Sequence, residues 1–516
     1  MEKLIPNRSY YLKWFVTLLV ITLIIKWLIA IYFPLTGDEA YFAVWGKFLS
    51  IGYYDHTPLV GWILYIMLKL GQSNLILRMP TIIATTILAI AIFCFLKSYD
   101  YRKAFLISVL YLISPINLGA MFITTDVPLI FFSFFSGMFI FYALKKNDNL
   151  FYYFLSGLCL GLAFFSKYFA VLLALAYIVY FLAAKKSWKR TFGFLLLFLM
   201  VLPFGLINLY WNYTHGWANL MFNLDTRNVG ATFNWHFIVL YLLVIFYIVT
   251  PPIFYYLLKH WKKLFQKLEY PEFSILVISF VVPFIFFLCL STIKSIGLHW
   301  PLSFVPFVYL SLICYLSSTD IIRSIKFMVV FTAIHLILMA AIIFTPVQTW
   351  QRFGIKGHQY SDLVFILKHN AVRDQLNQYN RNYIIASPSY AKAVLMYIDS
   401  NDYSPTFGHG SVHGRQGDFI TDFRTMKNKN FAILDTKKPK LEDYTPYFKS
   451  VKVEKFKLYD AKFYVVLGDQ FNYPKYRDVV LRNIYERYWQ VPKAVPHTPS
   501  FYCEKYFADQ NHGMCQ

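Results

Sequence analysis

The sequence predicts a polytopic α-helical membrane protein of about eleven spans over residues 1–345, followed by a soluble α/β domain over residues 346–516. Three observations carry this. The chain is 58% hydrophobic with a mean hydropathy of +0.47, whereas soluble domains hold about 45–50% apolar residues. Apolar runs of about 18–22 residues, the length that crosses the hydrocarbon core, recur through the first two thirds of the chain. After residue 345 the composition turns polar and charged.

The apolar runs place spans at 11–35, 77–96, 104–123, 127–144, 150–166, 168–184, 191–210, 236–258, 273–293, 300–317 and 326–345. The first is too long for a cleaved signal peptide, and no small-residue cleavage site follows it. Eleven spans put the termini on opposite sides. With the N-terminus inside, the inner segments hold 18 lysines and arginines and the outer loops hold 6. Such a bias orients the N-terminus to the cytoplasm and the tail to the periplasm. The net charge of +22 thus lies largely in short loops, where it reads as topology and anionic membrane lipid, with no nucleic-acid partner. Cys94, Cys159, Cys289 and Cys314 fall inside spans as small apolar residues. Cys503 and Cys515 lie in the tail, where an oxidising periplasm would let them pair.

In the tail, "SDLVFILKHNAVRDQLNQY" has the periodicity of an amphipathic helix. "YIIAS", "FAILD" and "AKFYVVLG" read as strands, with a helix near 389–398 between the first two. The first outer loop, 36–76, contains "AYFAVWGKFLSIG", whose spacing suits a helix lying in the interface plane.

The outer loops collect the ionisable residues. Loop one carries Asp38, Glu39, Tyr54, Asp55 and His56; Asp126 opens the fourth span, and Lys167 closes the fifth. His215 and Arg227 follow the seventh span, and Lys294 and His299 precede the tenth. Ionisable groups at membrane depth are costly and therefore usually functional. Carboxylates beside isolated cations suit a reaction in which one group is deprotonated while an anion departs. Each residue also has a structural reading. Thr36 and Glu39 fit a capping box, Asp126 before "VP" fits an N-cap, Lys167 fits a snorkelling lysine, Arg78 fits an interfacial anchor, and His215 with Trp217 fits an aromatic belt.

These residues also carry a resemblance. "GDEAYFAVWGKFLSIGYYDHTPLVGW" followed by "RMP", then "LISPINLGAMFITTDVPL", "GLAFFSKY", "WNYTHGW" and "LHWPLSFVP", in that order, resemble the GT-C polyprenyl-phosphate-sugar glycosyltransferases. The family group they resemble is the protein mannosyltransferase-like and lipid A aminoarabinose transferase-like one. The similarity spans most of residues 30–310, and "HGSVHGRQGDF" at 409–419 resembles a loop near the site.

The resemblance implies an inverting glycosyltransferase. It would move a sugar from undecaprenyl phosphate to lipid A on the periplasmic face of a bacterial inner membrane. Asp38 and Asp126 fall at the family's acidic positions, and Glu39 beside Asp38 is carried with them as a catalytic candidate. Tyr54, Asp55 and His56 stand where the aminoarabinose transferases place a Glu-Lys pair near the carrier phosphate, so Asp-His here replaces Glu-Lys. Lys167, His215, Arg227, Lys294 and His299 are the candidates to hold the leaving phosphate. The acidic loop suits a cationic aminosugar. No cofactor is required; a divalent metal is compatible with carboxylates and histidines in one cleft, but no ligand spacing indicates one. The alternatives are transfer to protein or another envelope glycan on the same fold, or a transporter or flippase of lipid-linked sugars. The transporter would show paired broken helices in two repeats, and no repeat is present.

The topology has a direct test. A reporter fused after Gln516 is expected to be active only in the periplasm; cytoplasmic activity would reverse the orientation.

Overall fold

A computed structural model describes residues 8–224, 232–266, 270–400, 402–409, 416–491, 495, 496, 498 and 500–508. The helices run in order as α1 (Arg8–Tyr32), α2 (Gly37–Lys47), α3 (Leu59–Leu70), α4 (Asn74–Leu96), α5 (Tyr101–Leu112), α6 (Pro115–Gly119), α7 (Asp126–Lys145), α8 (Leu150–Ser166), α9 (Ala170–Ala183) and α10 (Trp188–Thr214). They continue as α11 (Ala218–Leu224), α12 (Trp235–Val249), α13 (Pro251–Lys259), α14 (Trp261–Gln266), α15 (Pro271–Leu290), α16 (Val305–Tyr315) and α17 (Ser318–Phe344). Every expected span has a helical counterpart. Six of these helices (α1, α4, α7, α10, α15 and α17) are long and apolar enough to cross a membrane alone.

The other spans are shorter or broken, for legible reasons. The segment expected over 104–123 stops at Leu112, because Ser114 caps a new turn that begins at Pro115. The segment expected over 236–258 bends by 102° between α12 and α13. Thr250 sits there at φ 76°, and Pro251 and Pro252 follow. Neither proline has an N–H to continue the ladder.

Loop one departs most from expectation. The helix expected in the interface plane is α2, and Glu39 through Gly46 are buried all round. It is sandwiched between α3, which the sequence reading missed, and a helix of the tail. Two glycines permit this. A Cβ on Gly46 would meet the Leu64 backbone at 2.8 Å, and one on Gly37 would meet the Ala391 Cβ at 2.7 Å. Trp45 stacks on Tyr53 with centroids 4.4 Å apart. A helix covered on both sides needs no polar face, which explains its aromatic composition.

In the tail, α18 (Gly357–Leu376) and α19 (Tyr390–Ser400) flank a sheet of β1 (Ile384–Ala386), β2 (Phe431–Asp435), β3 (Phe448–Leu458) and β4 (Ala461–Phe471). The order is β1-β2-β4-β3, with β1 parallel to β2 and the other pairs antiparallel. The strand β3 was not expected from sequence, because lysines fill its exposed face, as on many edge strands. Tyr459 and Asp460, at φ 50° and 65°, make the two-residue turn into β4, the backbone twist that tight hairpins favour. Residues of α2 and α3 share one apolar core with α18, α19 and β4. Cys503 is buried and disulfide-bonded; Cys515 lies outside the described residues.

One buried ion pair ties the outer ends together. Thr36 and Glu39 form the expected capping box. Glu39 does more than cap. Arg78 donates from Nε to its Oε1 at 2.7 Å and from Nη2 to its Oε2 at 2.6 Å. The remaining guanidinium protons go to the carbonyls of Ala30, Phe33 and Pro34. The Ile123 amide donates to Glu39 Oε1 at 3.0 Å. The two side chains are 1% and 0% exposed, so Arg78 is not an interfacial anchor. A second buried cation, Lys26 in α1, donates to Thr85 on α4 and Asn117 on α6.

Removing one partner of a buried pair strands the other charge, at a cost of about 3–5 kcal/mol. Arg78→Ala and Glu39→Gln are both expected to lower the melting temperature in detergent sharply. An unchanged melting temperature in either would refute the arrangement.

Candidate active site

A cavity of about 660 Å³ opens between the tail and the ends of the spans that face it. Six of the expected site residues line it: Asp38, Asp55, His56, Asp126, Lys167 and His299. Four of them owe their place to a helix boundary, and Asp55 and His56 sit in the loop between α2 and α3. Asp38 is in the first turn of α2, and Asp126 is the first residue of α7, with Pro128 behind it. Thr125, not Asp126, takes the N-cap position. Lys167 is the C-cap of α8, where the backbone turns extended. His299 precedes the short 3-10 turn Trp300–Phe304 that leads into α16.

At the floor, Lys167 Nζ donates to Asp126 Oδ1 at 2.8 Å, with the side chains 7% and 8% exposed. Lys167 therefore does not snorkel to headgroups. A carboxylate at a helix N-terminus and an ammonium at a helix C-terminus each sit at the favourable end of a dipole. That offsets part of the cost of burying the pair. The ammonium also lies 5.2 Å from the Phe169 ring. Lys167 is the sole lysine or arginine among the described lining residues.

The roof is built by two tyrosine–aspartate hydrogen bonds. Tyr390, from α19 of the tail, donates to Asp38 Oδ1 at 3.0 Å. Tyr41, from α2, donates to Asp55 Oδ1 at 2.8 Å. The two rings meet edge to face, 5.4 Å apart. Burial, then the neighbouring carboxylates, hold both phenols above their ordinary pKa, so both remain donors. The Gln416 amide donates to the Tyr41 hydroxyl, and Gln416 Oε1 accepts from the Tyr54 amide. The tail segment that resembled a site loop thus reaches the roof through Gln416; its residues 410–415 lie outside those described.

Several expected site residues lie elsewhere. Glu39, expected as catalytic, is absent from the lining, and its oxygens are taken by Arg78, Thr36 and Ile123. Tyr54 is 1% exposed, with its ring against Phe222 and Trp489; only its neighbours Asp55 and His56 face the cavity. His215 caps α10, stacks on Trp211 at 4.4 Å, and is held below its ordinary pKa by burial. Lys294 lies 5.6 Å over the Trp300 ring and does not line the cavity. Arg227 falls outside the described residues.

Two lining features were missed. Tyr390 carried no signal, since nothing local marks it as a residue that crosses between domains. The other is a pair inside the spans. His335 Nε2 and the Tyr247 hydroxyl lie 2.6 Å apart, and His335 Nδ1 lies 2.7 Å from the Phe331 carbonyl. A carbonyl only accepts, so Nδ1 carries a proton and donates it to Phe331. His335, an ionisable residue in mid-span, was the available signal. Among the described residues no three His, Cys, Asp or Glu side chains converge as a metal site requires.

Residues 55–211, which include Asp126 and Lys167, match the family model described as dolichyl-phosphate-mannose-protein mannosyltransferase. Among curated proteins none matches the chain. Two crystal structures of ArnT from Cupriavidus metallidurans share its architecture. The apo form superposes with a TM-score of 0.58 at 12% identity, covering 88% of this chain and 98% of that one. The form bound to undecaprenyl phosphate gives 0.61 at 14% identity, with the same coverage. The chain therefore shares the GT-C fold of these ArnT structures, and its residues 55–211 match the dolichyl-phosphate-mannose-protein mannosyltransferase model.

Proposed function

We propose that the protein is an inverting glycosyltransferase that moves a sugar, an aminosugar by preference, from undecaprenyl phosphate to lipid A at the periplasmic face of the inner membrane. The observation that carries this reading is the convergence of Asp38, Asp126 and Lys167 on one cavity at the outer ends of the spans. The likeness to a structure bound to undecaprenyl phosphate supports a lipid-linked donor.

A second cavity supports a lipid chain. It is a groove of about 500 Å³ between α3, α4 and α7, walled almost entirely by apolar side chains. Thr124 and Val127 line both it and the reaction cavity. A prenyl chain in the groove would present its phosphate beside Lys167.

In this reading, the acceptor oxygen forms a bond to the anomeric carbon as the bond from that carbon to the carrier phosphate breaks. The pair of electrons leaves with polyprenyl phosphate. Lys167 holds the charge that develops on it, in a cavity dry enough to make that contact strong. Asp126 keeps Lys167 charged and aimed. Asp38, oriented by Tyr390, takes the proton of a hydroxyl acceptor. A phosphate acceptor brings no proton, and Asp38 then holds the ammonium of the sugar instead. His56 and His299 line the same cavity as further contacts to phosphate. No step is assigned to a metal.

Mass spectrometry of lipid A from cells with and without the gene tests the reading. Loss of a hexosamine or pentosamine mass is expected; unchanged lipid A would shift the acceptor to protein or another glycan. Asp38→Asn is expected to slow transfer about 100-fold or more while membrane insertion persists, and full activity would remove Asp38 from catalysis. Lys167→Met is expected to weaken undecaprenyl phosphate binding about ten- to a hundredfold, the range of one charge-assisted hydrogen bond. Unaltered affinity would place the phosphate elsewhere.

A further inference from the structure

A third cavity, of about 730 Å³, lies where the membrane helices meet the tail and shares only Ile342 with the reaction cavity. Its floor is made by the outer ends of three spans: Tyr32 closing α1, Ser73 and Asn74 opening α4, and Thr345 after α17. Tyr32 and Phe344 are 57% and 69% exposed and lie 6.2 Å apart. Exposed aromatics at span ends mark the headgroup layer of a bilayer. The floor is therefore level with lipid headgroups.

The roof is α18 and the end of α19. The backbone of α18 breaks at Lys368 (φ −137°, ψ 33°), and a new helical segment starts over the cavity. The roof carries both signs of charge. Lys368 and Arg373 are the cations, and Asp374 and Asp399 are the acids. His369 Nδ1 lies 2.7 Å from Asp399 Oδ2. Arg373 is 3% exposed. Its Nη1 donates to Asn377 and Asn380, and its Nη2 lies 3.6 Å from Asp402. Its Nε–H has no partner among the described residues. Burial lowers the guanidinium pKa even with Asp402, Asp399 and Asp374 nearby. Asp402, Asp399 and Asp374 surround this cation, and its unfilled Nε–H is sealed inside the roof.

We infer that this cavity binds the headgroup of a zwitterionic phospholipid bearing a primary ammonium, of the phosphatidylethanolamine kind. The phosphate faces the exposed Lys368, with the buried Arg373 guanidinium behind it, and the ammonium faces the exposed Asp374. A purely anionic headgroup would meet Asp374 and Asp399, and a purely cationic ligand would meet Lys368 and Arg373. A headgroup with both charges, held about a bond or two apart, matches a roof with both signs at the level where such headgroups lie. A lipid held here would fix the tail against the ends of α1, α4 and α17, beside the helix α19 that supplies Tyr390.

Native mass spectrometry of the full chain released from nanodiscs of equimolar phosphatidylethanolamine and phosphatidylglycerol tests this. Phosphatidylethanolamine is expected to be retained about fivefold over phosphatidylglycerol, a preference of about 1 kcal/mol. Lys368 and Asp374 are both exposed, so Lys368→Ala and Asp374→Asn should leave the fold intact, as circular dichroism will verify. Each is expected to reduce retention about fivefold. Equal or greater retention of phosphatidylglycerol, no retained lipid, or loss in only one variant would overturn the inference. So would displacement of the lipid by inorganic phosphate alone, which would make this a site for free phosphate. Retention is read without any sugar transfer, so the result is independent of the glycosyltransferase reading.

Discussion

The Glu39–Arg78 pair is the constraint from which the tail-facing end of the membrane helices is built. Four backbone segments meet at two side chains: the end of α1, the start of α2, the first turns of α4, and the loop that runs into α7 at Ile123. Taking two charges out of water is expensive, and only near-complete hydrogen bonding makes it tolerable. Here every guanidinium nitrogen and both carboxylate oxygens have partners. The geometry leaves the node little room to shift. Asp38 is one residue away on the helix that this node starts, and Asp126 is three residues beyond Ile123. The positions of two candidate catalytic carboxylates are therefore set by an interaction that takes no part in the chemistry.

That arrangement separates two jobs that adjacent residues share out. Glu39 points inward and is consumed by structure; Asp38, the residue before it, is exposed and faces the cavity. Successive residues of a helix point about 100° apart, so an acidic pair at a helix start can serve both ends. The floor of the cavity follows similar logic. Asp126 and Lys167 mark the start of one span and the end of another, and the helix termini stabilise each charge before any substrate arrives.

Much of this was legible. Hydropathy located a helix for every span, because burial in lipid leaves a long apolar record. Asp38, Asp55, His56, Asp126, Lys167 and His299 could be named because ionisable residues at span ends are few. What failed, failed for physical reasons. Glu39 and Arg78 were read separately, since nothing in a linear sequence pairs residues 39 positions apart. The helix α2 was assigned to the interface, because a helix covered on both faces looks like one covered by lipid. The strand β3 hid behind its lysines. Tyr54 and His215 carried the right chemistry in the right loops, but their neighbours Trp489 and Trp211 had packed them away.

The Tyr390–Asp38 contact joins the tail to the loop that opens the membrane domain. The cavity is thus assembled from both halves of the chain, and neither half encloses it alone. The tail is then one wall of the cavity and the membrane helices are the other. Substitutions in the tail would reshape that wall of the cavity without touching Asp126 or Lys167. A chimera that exchanged residues beyond α17 would transplant a preference rather than a reaction.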